Sequence, residues 1–348
     1  SISALMARTG VDPAAVDDVV FGNVDSIGPQ AGDIARTCWL VAGYPDEVPG
    51  TTVDRQCGSS QQAVHFAAQA VLSGTQDLVA AAGVENMSTV KMGASAAIGQ
   101  GMPLPWGQGW ADRYGDQEIS QFRGAQLICE KWGIKRAELE ELALESHRRA
   151  IQAIDEGRFE REIAPIAGVS TDEGPRRDTS LEKMAGLQPL REGWEITAAT
   201  ASQISDGAAA LLIASEAAVA RHGLTPLARI HSLAVTGADP VLMLTGPIPA
   251  TDQALAKAGL GVDDIDVFEV NEAFAPVLIA WSADTGASLE KTNPNGGAIA
   301  LGHPLGGTGA ILMTKLVHEL ERTGGRYGLQ TMCEGGGQAN ATIVERVG

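Results

Sequence analysis

One order of elements runs through this chain twice: strand, glycine-rich turn, helix, strand. In the first pass, Asp17-Asp18-Val19-Val20-Phe21-Gly22-Asn23-Val24 is a short apolar strand. Thr51-Thr52-Val53-Asp54 is β-prone, Cys57-Gly58-Ser59-Ser60 is a turn carrying helix-capping residues, Gln61 to Leu72 is an Ala-rich helix, and Leu78 to Val84 is a buried strand. In the second pass, Asp264 to Asn271 echoes the first strand. Asn295-Gly296-Gly297 through Gly309, followed by Ala310 to Glu321, echoes the cysteine turn and its helix, and Arg326 to Cys333 echoes the buried strand. A unit of this kind leaves a face uncovered when alone, so two copies are expected to pack together as similar α/β halves.

Residues 91–200 break the pattern. Gly, Pro and Trp cluster around Met102-Pro103-Leu104-Pro105-Trp106, which predicts an irregular excursion. Helices are expected at about 117–132 and 136–157, followed by the charged loop Asp172 to Asp178. The expected division is therefore residues 1–90 as an N-terminal half, 91–205 as an inserted loop domain with parts of that half, and 206–348 as a C-terminal half.

Charge and cysteine usage narrow the function classes. A net charge of −18 argues against a nucleic-acid partner, which selects a basic surface, but leaves room for a small phosphorylated ligand at a local patch. No apolar run approaches the roughly 20 residues of a membrane span, so no membrane partner is expected. The first residues do not read as a secretory signal, and Glu345-Arg346-Val347-Gly348 matches no simple targeting tail. The four cysteines, Cys38, Cys57, Cys129 and Cys333, form no CxxC pair and no zinc pattern, so no metal site is expected and the thiols read as reduced and cytoplasmic.

Four segments carry candidate chemistry. Cys57 lies between a strand end and a helix start, where unpaired backbone N–H groups and the helix dipole favour the thiolate; the alternative is a buried structural cysteine. His303 sits in Asn293 to Gly309, where six glycines leave its imidazole free to take a thiol proton or to donate to an oxyanion; the alternative is a turn histidine held by backbone bonds. That stretch matches neither the P-loop nor the GxGxxG spacing. In Cys333-Glu334-Gly335-Gly336-Gly337, a cysteine ends a strand and three glycines expose backbone N–H groups of the kind an oxyanion hole uses; a plain tight turn is the alternative. Asn271 and Glu272 end another strand, where the pair can orient a water or a catalytic side chain; the alternative is a helix cap at Asn271.

Taken in order, the Cys57 segment, NEAFA at 271–275, GGAIALGHPLGGTG at 296–309 and CEGGG at 333–337 resemble the thiolase family closely, from about residue 11 to the end. The sequence is most similar to bacterial degradative members, particularly actinobacterial ones acting on bulky acyl-CoAs from steroid-ring breakdown. The resemblance implies a five-layer α/β/α/β/α sandwich of two similar halves with an inserted loop domain. It implies thiolytic cleavage of a 3-ketoacyl-CoA by CoA, giving acetyl-CoA or propionyl-CoA and a shortened acyl-CoA. Cys57 matches the acylated nucleophile, His303 the histidine that activates it, and Cys333 the general acid and base. Asn271 matches the residue holding a water in one oxyanion hole, and the N–H groups of Cys57 and Gly335 match the other. Ser202 falls where members contact the pantetheine arm, and Arg176, Arg177 and Lys183 are basic candidates for the CoA phosphates, with a solvated charged loop as the alternative. No tightly bound cofactor is implied, CoA is a substrate, and a homodimer or homotetramer is expected.

Departures from the family pattern carry their own expectations. The family's usual first strand and helix are missing, which would leave the first sheet with an exposed edge. Gln121 to Gln126 replaces a segment associated with short substrates, which argues against acetoacetyl-CoA specificity. Ala339 stands where a glycine is common, and Glu334 places a carboxylate beside Cys333, which should raise a thiol pKa. The competing readings are a biosynthetic thiolase, a decarboxylating ketoacyl-synthase type, which would pair its cysteine with two histidines, and a noncatalytic acyl-CoA-binding homologue.

Overall fold

Alternation decides the strands. Leu78, Ala80 and Ala82 point to one side of their strand and Val79 and Ala81 to the other, and all five are buried, so this strand needs a helical layer on each face. The computed structural model describes residues 1–348 apart from 97–100, 102 and 104. Within the described residues, β1 (Asp18–Gly22), β2 (Gly50–Val53), β3 (Leu78–Asn86) and β4 (Asp206–Ala214) form one sheet in the order β2-β1-β3-β4. A second sheet holds β5 (Ala228–Gly237), β6 (Val267–Val270), β7 (Tyr327–Glu334) and β8 (Gln338–Arg346) in the order β5-β8-β7-β6. The repeat read from sequence reappears as topology. β1 runs parallel to β3 and β4 antiparallel to it; β6 runs parallel to β7 and β8 antiparallel to it.

The helices in chain order are α1 (Ile2–Thr9), α2 (Ile34–Val41), α3 (Ser59–Leu72), α4 (Gln108–Tyr114), α5 (Gln121–Trp132), α6 (Arg136–Asp155), α7 (Leu181–Ala185), α8 (Glu216–His222), α9 (Pro247–Ala258), α10 (Ala275–Thr285), α11 (Ala298–Leu301) and α12 (Thr308–Thr323). Helices α3 and α12 lie between the sheets. Ala63, Val64 and Ala67 of α3 share one core with Met313, Leu316 and Leu320 of α12, with Val20 and Val79 below and Val267 and Val344 above. Outside the first sheet, Met6, Ile34, Trp39 and Ala218 cover Val19, Phe21 and Leu78. Outside the second, Ala250, Ala254, Leu278 and Trp281 cover Phe268, Leu329 and Ile343. The result is the five-layer sandwich. Its middle layer is tight at the helix starts: a Cβ on Gly309 would stand 2.2 Å from the Gln61 nitrogen, so only glycine lets α12 meet α3 there.

Between β3 and β4 the chain leaves the first sheet and carries α4 to α7. Ile128, Leu139, Ala143, Met184 and Ile196 of this excursion pack on Phe274, Val277, Ala280 and Ile299. The excursion therefore roofs the strand end that carries Asn271. Of the segment read as irregular, Met102 and Leu104 lie outside the described residues.

The boundary expected at residue 206 needs correction. β4 pairs along its whole length with β3, so residues 206–214 complete the first sheet, and the second sheet begins with β5. The strand returns to its partner only after the whole excursion, and pairing at that separation leaves no local pattern. Among the described residues β4 pairs only with β3 and borders a groove of about 2690 Å³.

Glu85, near the end of β3, ties the halves together. Its buried carboxylate accepts from Asn23 Nδ2 (3.2 Å), Gln30 Nε2 (2.9 Å) and the backbone N–H groups of Val24 (3.0 Å), Asp25 (3.2 Å) and Gly306 (2.8 Å). Glu85→Ala strands these donors and is expected to destabilise the protein by about 3 kcal/mol, read as a lower urea midpoint, with Glu85→Gln recovering part of the loss.

Candidate active site

The turn before α3 is shaped by its own side chains. The Ser59 hydroxyl donates to the Gln56 carbonyl (2.5 Å) and accepts from the Arg55 N–H (2.9 Å). Gln56 is held at φ 49°, a left-handed conformation that a non-glycine residue adopts only under constraint. This closed turn presents Cys57 at the start of α3. The N–H groups of Cys57 itself and of Gly335 lie against its sulfur and favour the thiolate. Burial works against them, with the Glu334 charge second, and the thiol is pushed up to about 12. Cys57 is half-buried as a residue, yet its thiol lies deep among protein atoms, and the buried chemistry governs. A thiol held that high becomes a nucleophile by passing its proton to a neighbouring base.

His303 has the properties of that base. Burial lowers its pKa to about 4, so the ring is neutral near neutral pH. Its Nδ1 lies 2.6 Å from Thr308 Oγ1, and the Thr308 hydroxyl donates its single proton to the Pro304 carbonyl at 2.8 Å. The hydroxyl is therefore an acceptor toward the ring, Nδ1 carries the proton, and Nε2 is left as the basic nitrogen. Nε2 faces Asn271 Nδ2 at 3.3 Å. Asn271 Oδ1 is buried without a partner among the described residues and stands as an acceptor for a water. Thr308→Val removes the orienting acceptor and is expected to lower kcat/KM about tenfold to a hundredfold, with KM moving less than kcat.

The remaining groups converge through the strand ends. Asn271 N–H donates to the Thr331 carbonyl (3.1 Å), so Asn271 and Cys333 stand at the same end of the neighbouring parallel strands β6 and β7. Cys333 is buried, and its pKa is raised first by that burial, then by Cys57 and Glu334, so the two thiols share one electrostatic site. Gly335 opens the turn to β8, in which Gly336 (φ 79°) and Gly337 (φ 75°) take left-handed conformations suited to glycine. The His303 loop docks on the start of α3 through the Ala310 N–H, which donates to Ser60 Oγ at 2.9 Å. Cys57, His303, Asn271, Cys333 and Gly335 are thus gathered where the two halves meet.

Ser202 flanks this site: its N–H donates to the Ala273 carbonyl (3.0 Å). The next side chain, Gln203, donates to the carbonyls of Gly174 (3.0 Å), Ile299 (2.9 Å) and Ala300 (3.1 Å), tying the charged loop to the glycine stretch. Two of the basic candidates are engaged on the surface, Arg177 with Asp155 (2.9 Å) and Lys183 with Asp178 (2.8 Å). Arg176 is exposed and makes no ion pair among the described residues, while its N–H donates to His147 Nδ1 (3.1 Å).

One residue of the site, Thr308, has no role assigned from the sequence, and a second, Glu272, has only a general one. Thr308 is visible in the sequence only as part of the glycine stretch, five positions after His303 and four after Pro304, whose carbonyl it binds. Glu272, expected with Asn271 to orient a water or a catalytic side chain, anchors the backbone of the glycine stretch instead. Its carboxylate accepts from Ser146 Oγ (2.6 Å), Asn293 Nδ2 (2.9 Å) and the Ile299 N–H (3.1 Å), fixing the approach to His303.

Comparison with known proteins gives consistent findings. The family model "Thiolase, N-terminal domain" matches residues 1–217 and "Thiolase, C-terminal domain" matches residues 224–346. A relative named steroid 3-ketoacyl-CoA thiolase FadA6, from Mycobacterium tuberculosis, is 62% identical over 99% of this chain and 86% of its own length. A 3-oxoadipyl-CoA/3-oxo-5,6-dehydrosuberyl-CoA thiolase of Escherichia coli is 42% identical over 99% and 91%. The crystal structure of the Bacillus anthracis acetyl-CoA acetyltransferase superposes with a TM-score of 0.89 at 36% identity, covering 99% of this chain and 91% of that one.

Proposed function

The chain belongs to the thiolase family, and from that premise we propose how its residues carry out the thiolytic cleavage of a 3-ketoacyl-CoA. Cys57 passes its proton to His303 Nε2 and adds to the 3-keto carbon, and the N–H groups of Cys57 and Gly335 hold the resulting oxyanion. The Cα–Cβ bond then breaks. The acyl fragment stays on the Cys57 sulfur, and the electron pair moves into the thioester enolate. The Nε2–H now on His303 donates a hydrogen bond to that enolate oxygen, beside a water held by Asn271, and keeps its proton. Cys333 protonates the enolate carbon and acetyl-CoA leaves. The Cys333 thiolate next takes the proton of incoming CoA, whose sulfur attacks the Cys57 thioester; the shortened acyl-CoA leaves, and the expelled Cys57 thiolate recovers its proton from His303. The observation that supports these roles best is the polarity of His303: Thr308 fixes Nδ1–H and leaves a neutral basic nitrogen facing Asn271.

The second substrate is CoA, with no tightly bound cofactor, and Ser202 contacts its pantetheine arm. Arg176, free of an ion pair among the described residues, is the first choice for the CoA phosphates; Arg177 and Lys183 must exchange their partners to serve. The acyl substrate is bulky and ring-derived, a reading supported by the 62% identity to the steroid thiolase. A kcat/KM series over straight-chain and ring-bearing 3-ketoacyl-CoAs tests it, and a preference for acetoacetyl-CoA would refute it. The working protein is a cytoplasmic homodimer or homotetramer, which light scattering on the purified chain checks for assembly.

A further inference from the structure

Glu334 follows Cys333 on β7, so its side chain leaves the opposite face of the strand. It is fully buried and presses on Gly58, the residue joining Cys57 to α3. A Cβ at Gly58 would stand 1.9 Å from Glu334 Oε1 and 3.0 Å from Asn340 Oδ1. Among the described residues, neither Glu334 oxygen has a hydrogen-bond partner, and neither has Asn340 Oδ1. The charged and titratable groups that face it are Arg55 and Asp54 from the turn before α3, and the thiols of Cys57 and Cys333. Arg55 does not close on the carboxyl: its Nη1 donates to Gln338 Oε1 at 2.7 Å, and its Nε is unpartnered. The Asn340 backbone N–H lies near without forming a bond of ordinary geometry.

A buried carboxylate needs donors, whereas a buried carboxylic acid needs one acceptor. Asn340 Oδ1 is an acceptor without a donor, on the same side of Gly58. One proton on Glu334 satisfies both groups. We propose that Glu334 is a positioning residue kept as a neutral carboxylic acid that donates to Asn340 Oδ1, and that its protonation withholds a negative charge from Cys57 while the thiolate forms. The bond reaches the nucleophile's turn, because Asn340 Nδ2 donates to the Gly58 carbonyl (3.2 Å). Burial raises Glu334 to about 8, and its charge is the second cause of the raised Cys57 thiol. The sign follows: below about pH 8 the acid is neutral and adds no charge against the thiolate, and above it the carboxylate opposes the thiolate.

The inference rests on Cys57 being the reactive thiol, and its test does not require turnover. Infrared difference spectra of the wild-type protein between about pH 6.5 and about pH 9.5 read the carboxyl directly. A protonated-carboxyl band present at the lower pH and lost at the higher is expected; Glu334→Gln removes it and Asn340→Leu shifts it. Iodoacetamide labelling of Cys57, followed by peptide mass, reads the consequence. Glu334→Gln is expected to label about tenfold faster than wild type near pH 9.5 and within about twofold near pH 6.5, since one pKa unit is tenfold in thiolate. An ionised Glu334 near pH 6.5, or labelling changed equally at both pH values, overturns the proposal. Failure of thiolysis with these results intact would instead count against the catalytic assignment.

Discussion

Cys57→Ala is expected to lower kcat/KM for thiolysis by about 10⁴-fold or more, measured as acetyl-CoA release from a ring-bearing 3-ketoacyl-CoA. The size follows from covalent catalysis. Without the sulfur, no group holds the acyl fragment when the carbon–carbon bond breaks, and Cys333 is committed to the proton. The substitution keeps the turn, because Ser59 closes it without help from the cysteine. Substrate binding should therefore survive, and a measured acyl-CoA affinity within a few-fold of wild type would locate the loss in chemistry. Residual turnover above about a hundredth of wild type would place the nucleophile elsewhere.

Cys333→Ala is expected to separate two steps that the wild type runs together. Cleavage of a 3-ketoacyl-CoA should fall about 10³-fold, because the departing carbanion loses its acid and incoming CoA loses its base. Acylation of Cys57 by a simple acyl-CoA should continue at a measurable rate, since that exchange makes no carbanion. Intact-mass time courses with the two substrate types read both rates. Turnover equal to wild type would remove Cys333 from the mechanism.

The parts of this site that were legible in the sequence are those written in local pattern. Cys57, His303 and Cys333 each sit where an apolar run meets a glycine turn, and the two-fold repeat brought them to one interface. The strands β1 to β3, β6 and β7 and the helices α3, α5, α6 and α12 follow from periodicity and capping. What escaped depends on distance along the chain. β4 belongs to the first sheet only because β3 waits for it across the whole excursion, and nothing local assigned β8, or the helix α1. Glu85 shows the same limit. It is a strand-end carboxylate whose partner Gly306 lies in the other half. Glu334, expected to raise the Cys333 thiol, does so, and the structure also presses its side chain on Gly58 near Asn340, which the sequence does not show. The roles of Thr308 and Glu272 required knowing which protons their neighbours carry.

The central claim is that Cys57 carries the acyl group. Wild-type protein incubated with a 3-ketoacyl-CoA in the absence of free CoA, then mapped by intact and peptide mass, tests it most directly. The account predicts one acyl adduct, on the peptide containing Cys57, discharged when CoA is added. An adduct on another residue, or no adduct across straight-chain and ring-bearing substrates, would contradict it.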